Sequence, residues 1–96
     1  MEVDHFIPWT FVRDDKLWNF VLSCRQCNNS KRDKLSERHY ISKLLDQNNY
    51  IINYSDDVYI VKKEYKIYYP DKISEMYNCA EFNGFETGWM PKCIIA

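Results

Sequence analysis

The chain has 96 residues, 17% of them aromatic, and its 13 basic and 14 acidic side chains leave a formal net charge of −1. This length can bury one hydrophobic core but not two, and the near-neutral charge argues against a protein that binds nucleic acid through net charge alone. The sequence has no apolar run of the ~20 residues that a membrane helix needs and no signal peptide, so we expect one soluble, intracellular (cytoplasmic) domain without a membrane partner.

Two short β-prone runs stand near the beginning of the sequence. Residues 3–7 form the first and stop at Pro8, which cannot continue a central ladder. The second is the apolar run at residues 20–22. Polar cap-type residues at 28–30 then predict a helix that begins between residues 26 and 29. We expect these two strands and this helix to converge on one site.

The remainder of the chain has the pattern of helical support structure. Ser36 can cap a helix that runs to about residue 49, and His39 within it is expected to be a surface or packing histidine. Residues 58–69 fit either a strand pair or a helix, because periodicity does not separate the two. Asp71 opens a clearer helix, which ends at Asn83 and Gly84. Its apolar residues recur at helical spacing: Ile73, Met76, Tyr77 and Ala80.

Asp4 and His5 place a metal ligand next to a base. Carboxylate and amide oxygens suit Mg²⁺ or Mn²⁺ better than thiolates do, and Asn28 offers an amide further along the chain. Histidine can accept a proton near neutrality. A metal held by Asp4 and Asn28, with His5 as the base for an attacking water, would hydrolyse a phosphodiester. Taken alone, an Asp-His pair is more often a polar turn.

The pair belongs to a longer motif, DHFIPWTFVRDDKLWNFVLSCRQCNNSK, at residues 4–31. The motif resembles the HNH endonuclease family, whose pattern is D-H-hydrophobic-x-P, a loop, N-hydrophobic and then C-x-x-C-[NH]-x-x-K. Its spacing is also similar to the HNH domain of the CRISPR RNA-guided nucleases, including the paired aspartates Asp14 and Asp15. The resemblance implies an α+β fold, with a ββα-metal (HNH/His-Me finger) core at residues 1–35 and a helical support region at residues 36–96.

The resemblance also implies a role for each motif residue in DNA phosphodiester hydrolysis. Asp4 and Asn28 are the implied ligands of one divalent metal, Mg²⁺ or Mn²⁺ with Zn²⁺ or Ni²⁺ as alternatives. His5 is the implied general base, and Asn19 is similar to residues that hold the loop and orient that base. An amide suits this task because it donates and accepts hydrogen bonds without adding charge. The structural alternatives are a turn asparagine at Asn19 and a helix cap at Asn28.

Cys24 and Cys27 form a C-x-x-C pair that would supply half of a structural zinc site. Many HNH domains complete that site with an upstream C-x-x-C, whereas here only two residues precede Val3. Two ligands do not make a closed tetrahedral zinc centre. Three alternatives are open: the missing pair lies upstream of this chain, Cys79 and Cys93 substitute, or the thiols pack as small apolar groups. We favour the first or the third, with Cys79 and Cys93 as ordinary cysteines.

Positive charge is concentrated between residues 25 and 43, where six basic and two acidic side chains give a local charge of +4. Four of the basic residues are predicted to contact DNA phosphates: Lys31, Arg32, Lys34 and Arg38. Lys31 and Lys34 would share a helix face, from which Arg32 points away. The alternative is an ordinary solvated helix face.

Two other functions are compatible with the sequence. One is a cleavage-inactive HNH-fold module that binds DNA or a protein partner. The other is a structural zinc-ribbon-like domain, in which Cys24 and Cys27 matter while Asp4 and His5 do not. The DNA target, the number of strands cut and the oligomeric state do not follow from the sequence.

Overall fold

The computed structural model describes residues 1–91, and this part of the chain has an α+β fold with one two-stranded antiparallel sheet. Strand β1 spans Glu2–His5 and strand β2 spans Phe20–Ser23, in a register that places His5 opposite Phe20. The first strand ends two residues earlier than predicted, because residues 6 and 7 leave the ladder and enter the core. Five α-helices lie in the described part of the chain: α1 Trp9–Val12, α2 Arg25–Lys31, α3 Tyr40–Tyr54, α4 Val58–Glu64 and α5 Lys72–Phe82. Among them, no helix has the length and apolar character needed to span a membrane. Cys93 and the end of the predicted support region lie outside the described residues.

Helix α2 begins directly after β2 and is capped by a thiol. The Sγ of Cys24 accepts a hydrogen bond from the backbone N–H of Cys27 at 3.3 Å. The helix therefore starts earlier than the sequence predicted, and Asn28 lies inside it instead of capping it. The polar residues at 28–30 predicted the wrong start, because the sulfur of Cys24 already accepts the first-turn N–H that an Asn or Ser cap would bind.

A tight turn ends α2. The backbone N–H of Lys34 donates to the carbonyl of Lys31 at 3.0 Å, which closes a four-residue turn. Arg32 in this turn has φ 51° and ψ −125°, close to the first central position of a type II′ turn, where glycine is the usual residue. The helix thus ends at Lys31, and Lys34 does not continue its face.

The C-terminal helices agree with the predicted pattern, with shifted boundaries. The helix predicted from Ser36 starts at Tyr40, because Ser36 is extended and buried in a bridge with Trp89. The segment at 58–69 resolves in favour of a helix, α4, over its first half. The helix predicted after Asp71 is confirmed as α5.

The hydrophobic core is formed by the residues after β1, by the segments before β2 and α3, and by helices α3 and α5. Phe6 and Ile7, which directly follow β1, pack with residues from the rest of the chain and are 3% and 0% exposed. The other buried members of the core are Trp18, Leu35, Leu44, Ile73, Tyr77 and Ala80. Each large apolar side chain buried in this way contributes roughly 1.5–3 kcal/mol. The end of β1 is therefore held by the same core that holds the helices.

Residues 86–89 return to pair with the segment that follows α2. The N–H of Leu35 donates to the carbonyl of Glu86 at 2.7 Å, and the N–H of Trp89 donates to the carbonyl of Leu35 at 3.1 Å. The indole N–H of Trp89 also donates to the hydroxyl of Ser30 in α2 at 3.2 Å. This pairing connects the end of the described chain to α2 and to the segment that follows it.

Candidate active site

His5 is the last residue of β1, and its side chain is 25% exposed. Its Nε2 lies 2.7 Å from Oδ1 of Asp15, in the loop between the strands. The ring of Phe20, opposite in the sheet, meets the imidazole edge to face at a centroid distance of 5.2 Å. The imidazole is therefore held by an aromatic ring and a carboxylate while part of it is accessible to solvent.

The Asp4 carboxylate is held next to this histidine. Its Oδ1 accepts a hydrogen bond from the backbone N–H of His5 at 2.8 Å. Its Oδ2 lies 3.4 Å from the ammonium of Lys31, and the side chain is 14% exposed. Asp4 and Lys31 line a cleft of about 570 Å³, whose other walls come from β2, α3 and residues 89–91. The carboxylate thus has a defined orientation at the edge of a cleft.

Lys31 is buried, with a side chain 2% exposed. Its Nζ donates to the carbonyls of His5 at 2.5 Å and Phe6 at 3.1 Å. Burial lowers the pKa of the ammonium, and the charge of Asp4 opposes that shift. This placement differs from the predicted exposed phosphate contact, because α2 packs the face that carries Lys31 against β1. The buried cation connects the end of α2 to the end of β1.

Asn28 lies one turn before Lys31 on the same face of α2. Its Nδ2 donates to Oε1 of Glu2 at 3.1 Å, and Arg25 lies 3.4 Å from the other oxygen of that carboxylate. The hydrogen bond from Asn28, together with Arg25, lowers the pKa of Glu2. Glu2 and Asp4 share one face of β1. Two neighbouring pairs therefore join α2 to β1: Asn28 with Glu2, and Lys31 with Asp4.

Asn19 is 1% exposed and holds the chain just after His5. Its Oδ1 accepts from the N–H of Ile7 at 2.8 Å, and its Nδ2 donates to the carbonyl of the same residue at 2.9 Å. Its backbone carbonyl accepts from the N–H of Phe6 at 2.8 Å. Among residues 1–91, the side chain holds the segment directly after β1 and makes no hydrogen bond to the His5 ring, so its role in orienting the base stays a prediction.

The oxygen donors of Asp4 and Asn28 are of the type that a hard divalent cation prefers. Asn28 uses its amide nitrogen for Glu2, and its Oδ1 makes no hydrogen bond with residues 1–91, so this oxygen is open to a ligand. Within the same range, no group of three or more His, Cys, Asp or Glu side chains is placed to hold a metal. The pair Asp4 and Asn28 contains only one side chain of these four types. The absence of a larger group therefore says nothing about a metal held by this pair.

The cysteines of the C-x-x-C pair lie at the start of α2, where Cys24 caps the helix and Cys27 is 3% exposed. Cys79 lies on the exposed surface of α5. Over residues 1–91 these three cysteines do not form a metal-binding group. The described structure thus gives the thiols of Cys24 and Cys27 a packing and capping environment at α2.

The predicted basic face is divided among different environments. Lys34 lies 3.8 Å from a carboxylate oxygen of Glu86. Arg38 forms an ion pair with Glu81 at 2.9 Å, and its guanidinium lies over the ring of Tyr77. Arg32 is exposed and makes no ion pair with any residue of 1–91. The predicted sharing of a helix face by Lys31 and Lys34 is wrong, because α2 ends between them.

Comparison with known proteins identifies the segment that carries these residues. Residues 1–36 match the family model described as HNH endonuclease. The matched segment contains β1, β2 and α2, and with them Asp4, His5, Asn19 and Asn28. No curated protein and no solved structure matches the chain. The resemblance of the motif to the HNH endonuclease family is thus confirmed for residues 1–36.

Proposed function

We propose that the protein is a metal-dependent endonuclease that hydrolyses DNA phosphodiester bonds. The observation that supports this most strongly is the arrangement of the matched segment. Two antiparallel strands are followed by a helix packed on β1, with His5 at the end of that strand and the Asp4 carboxylate beside it. This is the order that a ββα-metal core requires, and we propose that residues 1–35 form such a core supported by residues 36–96.

In the proposed reaction His5 removes a proton from the attacking water. Asp4 and Asn28 would hold one divalent metal, which when bound would stabilise charge on the phosphate. Lys31 orients the Asp4 carboxylate and, through the carbonyl of His5, the end of β1. Asn19 holds residues 6 and 7, so the strand end that presents the imidazole has little freedom to move.

Few basic side chains of this domain would be available to contact the phosphates of DNA. Arg32 is the proposed phosphate contact nearest to α2, since Lys31 is buried while Lys34 and Arg38 have intramolecular partners. Electrostatic affinity for DNA increases with the number of phosphates contacted. We therefore expect weak binding at physiological salt.

The test is cleavage of supercoiled plasmid with added Mg²⁺ or Mn²⁺. We expect His5→Ala to slow cleavage by about 10²–10⁴-fold, the usual contribution of a positioned general base, with metal and DNA binding retained. His39→Ala is the matched control, because this second histidine is exposed and lies outside the matched segment. Undiminished turnover of His5→Ala would exclude His5 as the base.

The metal ligands are tested separately by calorimetry. Asp4→Ala and Asn28→Ala should each weaken metal binding and reduce cleavage together, because each removes one oxygen ligand. Unchanged metal affinity in both variants would contradict the assignment. A wild-type protein that binds DNA without cutting it in Mg²⁺, Mn²⁺, Zn²⁺ or Ni²⁺ would instead indicate the inactive binding module.

A further inference from the structure

The loop between the strands contains two aspartates whose side chains have different partners. The Oδ1 of Asp15 lies 2.7 Å from Nε2 of His5. The Oδ1 of Asp14 instead accepts from the backbone N–H of Asp15 at 2.9 Å. The Asp15 side chain is 68% exposed, and an ion pair at such an exposed position contributes little to stability. The contact with His5 therefore adds little to the stability of the fold.

We infer that Asp15 is a positioning residue that holds His5 with its hydrogen on Nε2 and leaves Nδ1 as the atom that accepts a proton. An ionised carboxylate only accepts hydrogen bonds, so the imidazole nitrogen that faces it must donate. A neutral imidazole carries one N–H, and the other nitrogen is then a bare acceptor. Nδ1 makes no hydrogen bond with residues 1–91. The catalytic task of Nδ1 rests on the proposed function, whereas the tautomer does not.

Asp15 also selects between two orientations of the ring. Phe20 contacts the imidazole edge to face and so restricts the plane of the ring. A rotation of 180° about the Cβ–Cγ bond would keep that plane but exchange the positions of nitrogen and carbon atoms. A hydrogen-bond partner of a ring nitrogen distinguishes the two orientations, and the carboxylate of Asp15 is such a partner. The direction in which Nδ1 of His5 points is thereby fixed.

The first readout is the imidazole N–H itself, observed by ¹H–¹⁵N NMR in a His39→Gln background that leaves His5 as the only histidine. We expect a slowly exchanging Nε2–H resonance in this protein and its loss through rapid exchange in Asp15→Ala. Asp14→Asn is the matched control, because it removes one charge from the same loop while its amide oxygen can still accept from the Asp15 N–H. The resonance should persist in this control.

The second readout is steady-state cleavage. Asp15→Ala should lower kcat by about 10²-fold with little change in KM, as expected when a reacting group loses its alignment. Asp15→Asn should retain more activity, because its amide oxygen can still accept from Nε2–H. A role through charge alone would make Asp15→Asn as slow as Asp15→Ala and would slow Asp14→Asn as well, which would overturn the inference.

The two readouts separate this inference from the proposed function. An Nδ1–H resonance in the protein, or an Nε2–H resonance that survives in Asp15→Ala, would overturn the assignment of the tautomer whatever the activity. A protein that shows the expected Nε2–H signal but cuts no DNA would support the contact between Asp15 and His5 and reject the nuclease proposal.

Discussion

The ammonium of Lys31 is a buried charge that joins α2 to the end of β1. It donates to two carbonyls at the end of β1 and lies 3.4 Å from the Asp4 carboxylate. The Lys31 side chain is 2% exposed. Removing one partner of a buried ion pair leaves the other without compensation and is strongly destabilising. The carbonyls of His5 and Phe6 would lose their donor at the same time.

We predict that Lys31→Met lowers the free energy of unfolding by about 3 kcal/mol. Urea denaturation followed by tryptophan fluorescence measures this change. Lys34→Met is the control, because Lys34 is only half-buried and its ion pair with Glu86 is long, so a change below about 1 kcal/mol is expected. Equal, small losses in both variants would show that the Lys31 contacts do not stabilise the fold.

At the scale of single residues, the sequence predicts some neighbours of the motif side chains but not others. The proximity of Asp4 and His5 follows from their adjacency, and the loop contact of Asn19 was expected from the family pattern. The burial of Lys31 and the bond from Asn28 to Glu2 depend on which face of α2 packs on β1. The sequence alone does not indicate how α2 is rotated about its axis relative to β1.

The turn that ends α2 has an arginine where glycine is usual. Arg32 has φ 51°, and a side chain in such a conformation costs on the order of 1 kcal/mol relative to glycine. Arg32 is also exposed and without an ion pair to residues 1–91. Strain at an exposed cation is the reason to propose that Arg32 serves binding at the expense of stability.

We predict that Arg32→Gly raises the free energy of unfolding by about 1 kcal/mol and weakens DNA binding. Loss of one phosphate contact should reduce the slope of log affinity against log salt concentration by ~0.9. Arg32→Ala is the control, since it removes the same cation but keeps a Cβ in the strained conformation. It should lose affinity equally without gaining stability. An unchanged salt slope in both variants would mean that Arg32 does not contact phosphate.

At the scale of elements, periodicity predicts α3 and α5 because each buries one apolar stripe, and it is ambiguous for α4. Helix α4 is capped by Asp57, whose Oδ1 accepts from the N–H of Ile60 at 3.0 Å. None of its residues is buried, so no apolar face marks it as a helix. Element ends were predicted least well, because caps such as Cys24 do not follow the common residue preferences.

At the scale of the whole molecule, the matched segment does not contain its own core. Phe6, Ile7 and Leu35 pack against side chains contributed by the later helices, among them Leu44 and Tyr77. A two-stranded sheet with one short helix is marginal in water without such packing. The family match over residues 1–36 therefore covers the HNH-like motif but not the whole unit that folds.

We predict that a peptide of residues 1–36 is unfolded and does not cut DNA. Its near-ultraviolet circular dichroism should lack the signal of ordered aromatic side chains, and its thermal scan should show no cooperative transition. The full chain, measured under the same conditions, is the control. A folded, active peptide would show that the helical region is dispensable for the site.

The pairing of residues 86–89 with residues 35–37 has a consequence during synthesis. These partners are about fifty positions apart, and contacts at such separation form only after the loop between them has closed. During synthesis the strands and α2 leave the ribosome before residues 86–89. The contacts between these residues and the segment after α2 form only when Trp89 has left the exit tunnel. Because domains generally fold as units, the segment that carries Asp4 and His5 acquires its folded structure only after residues 86–89 have been synthesised.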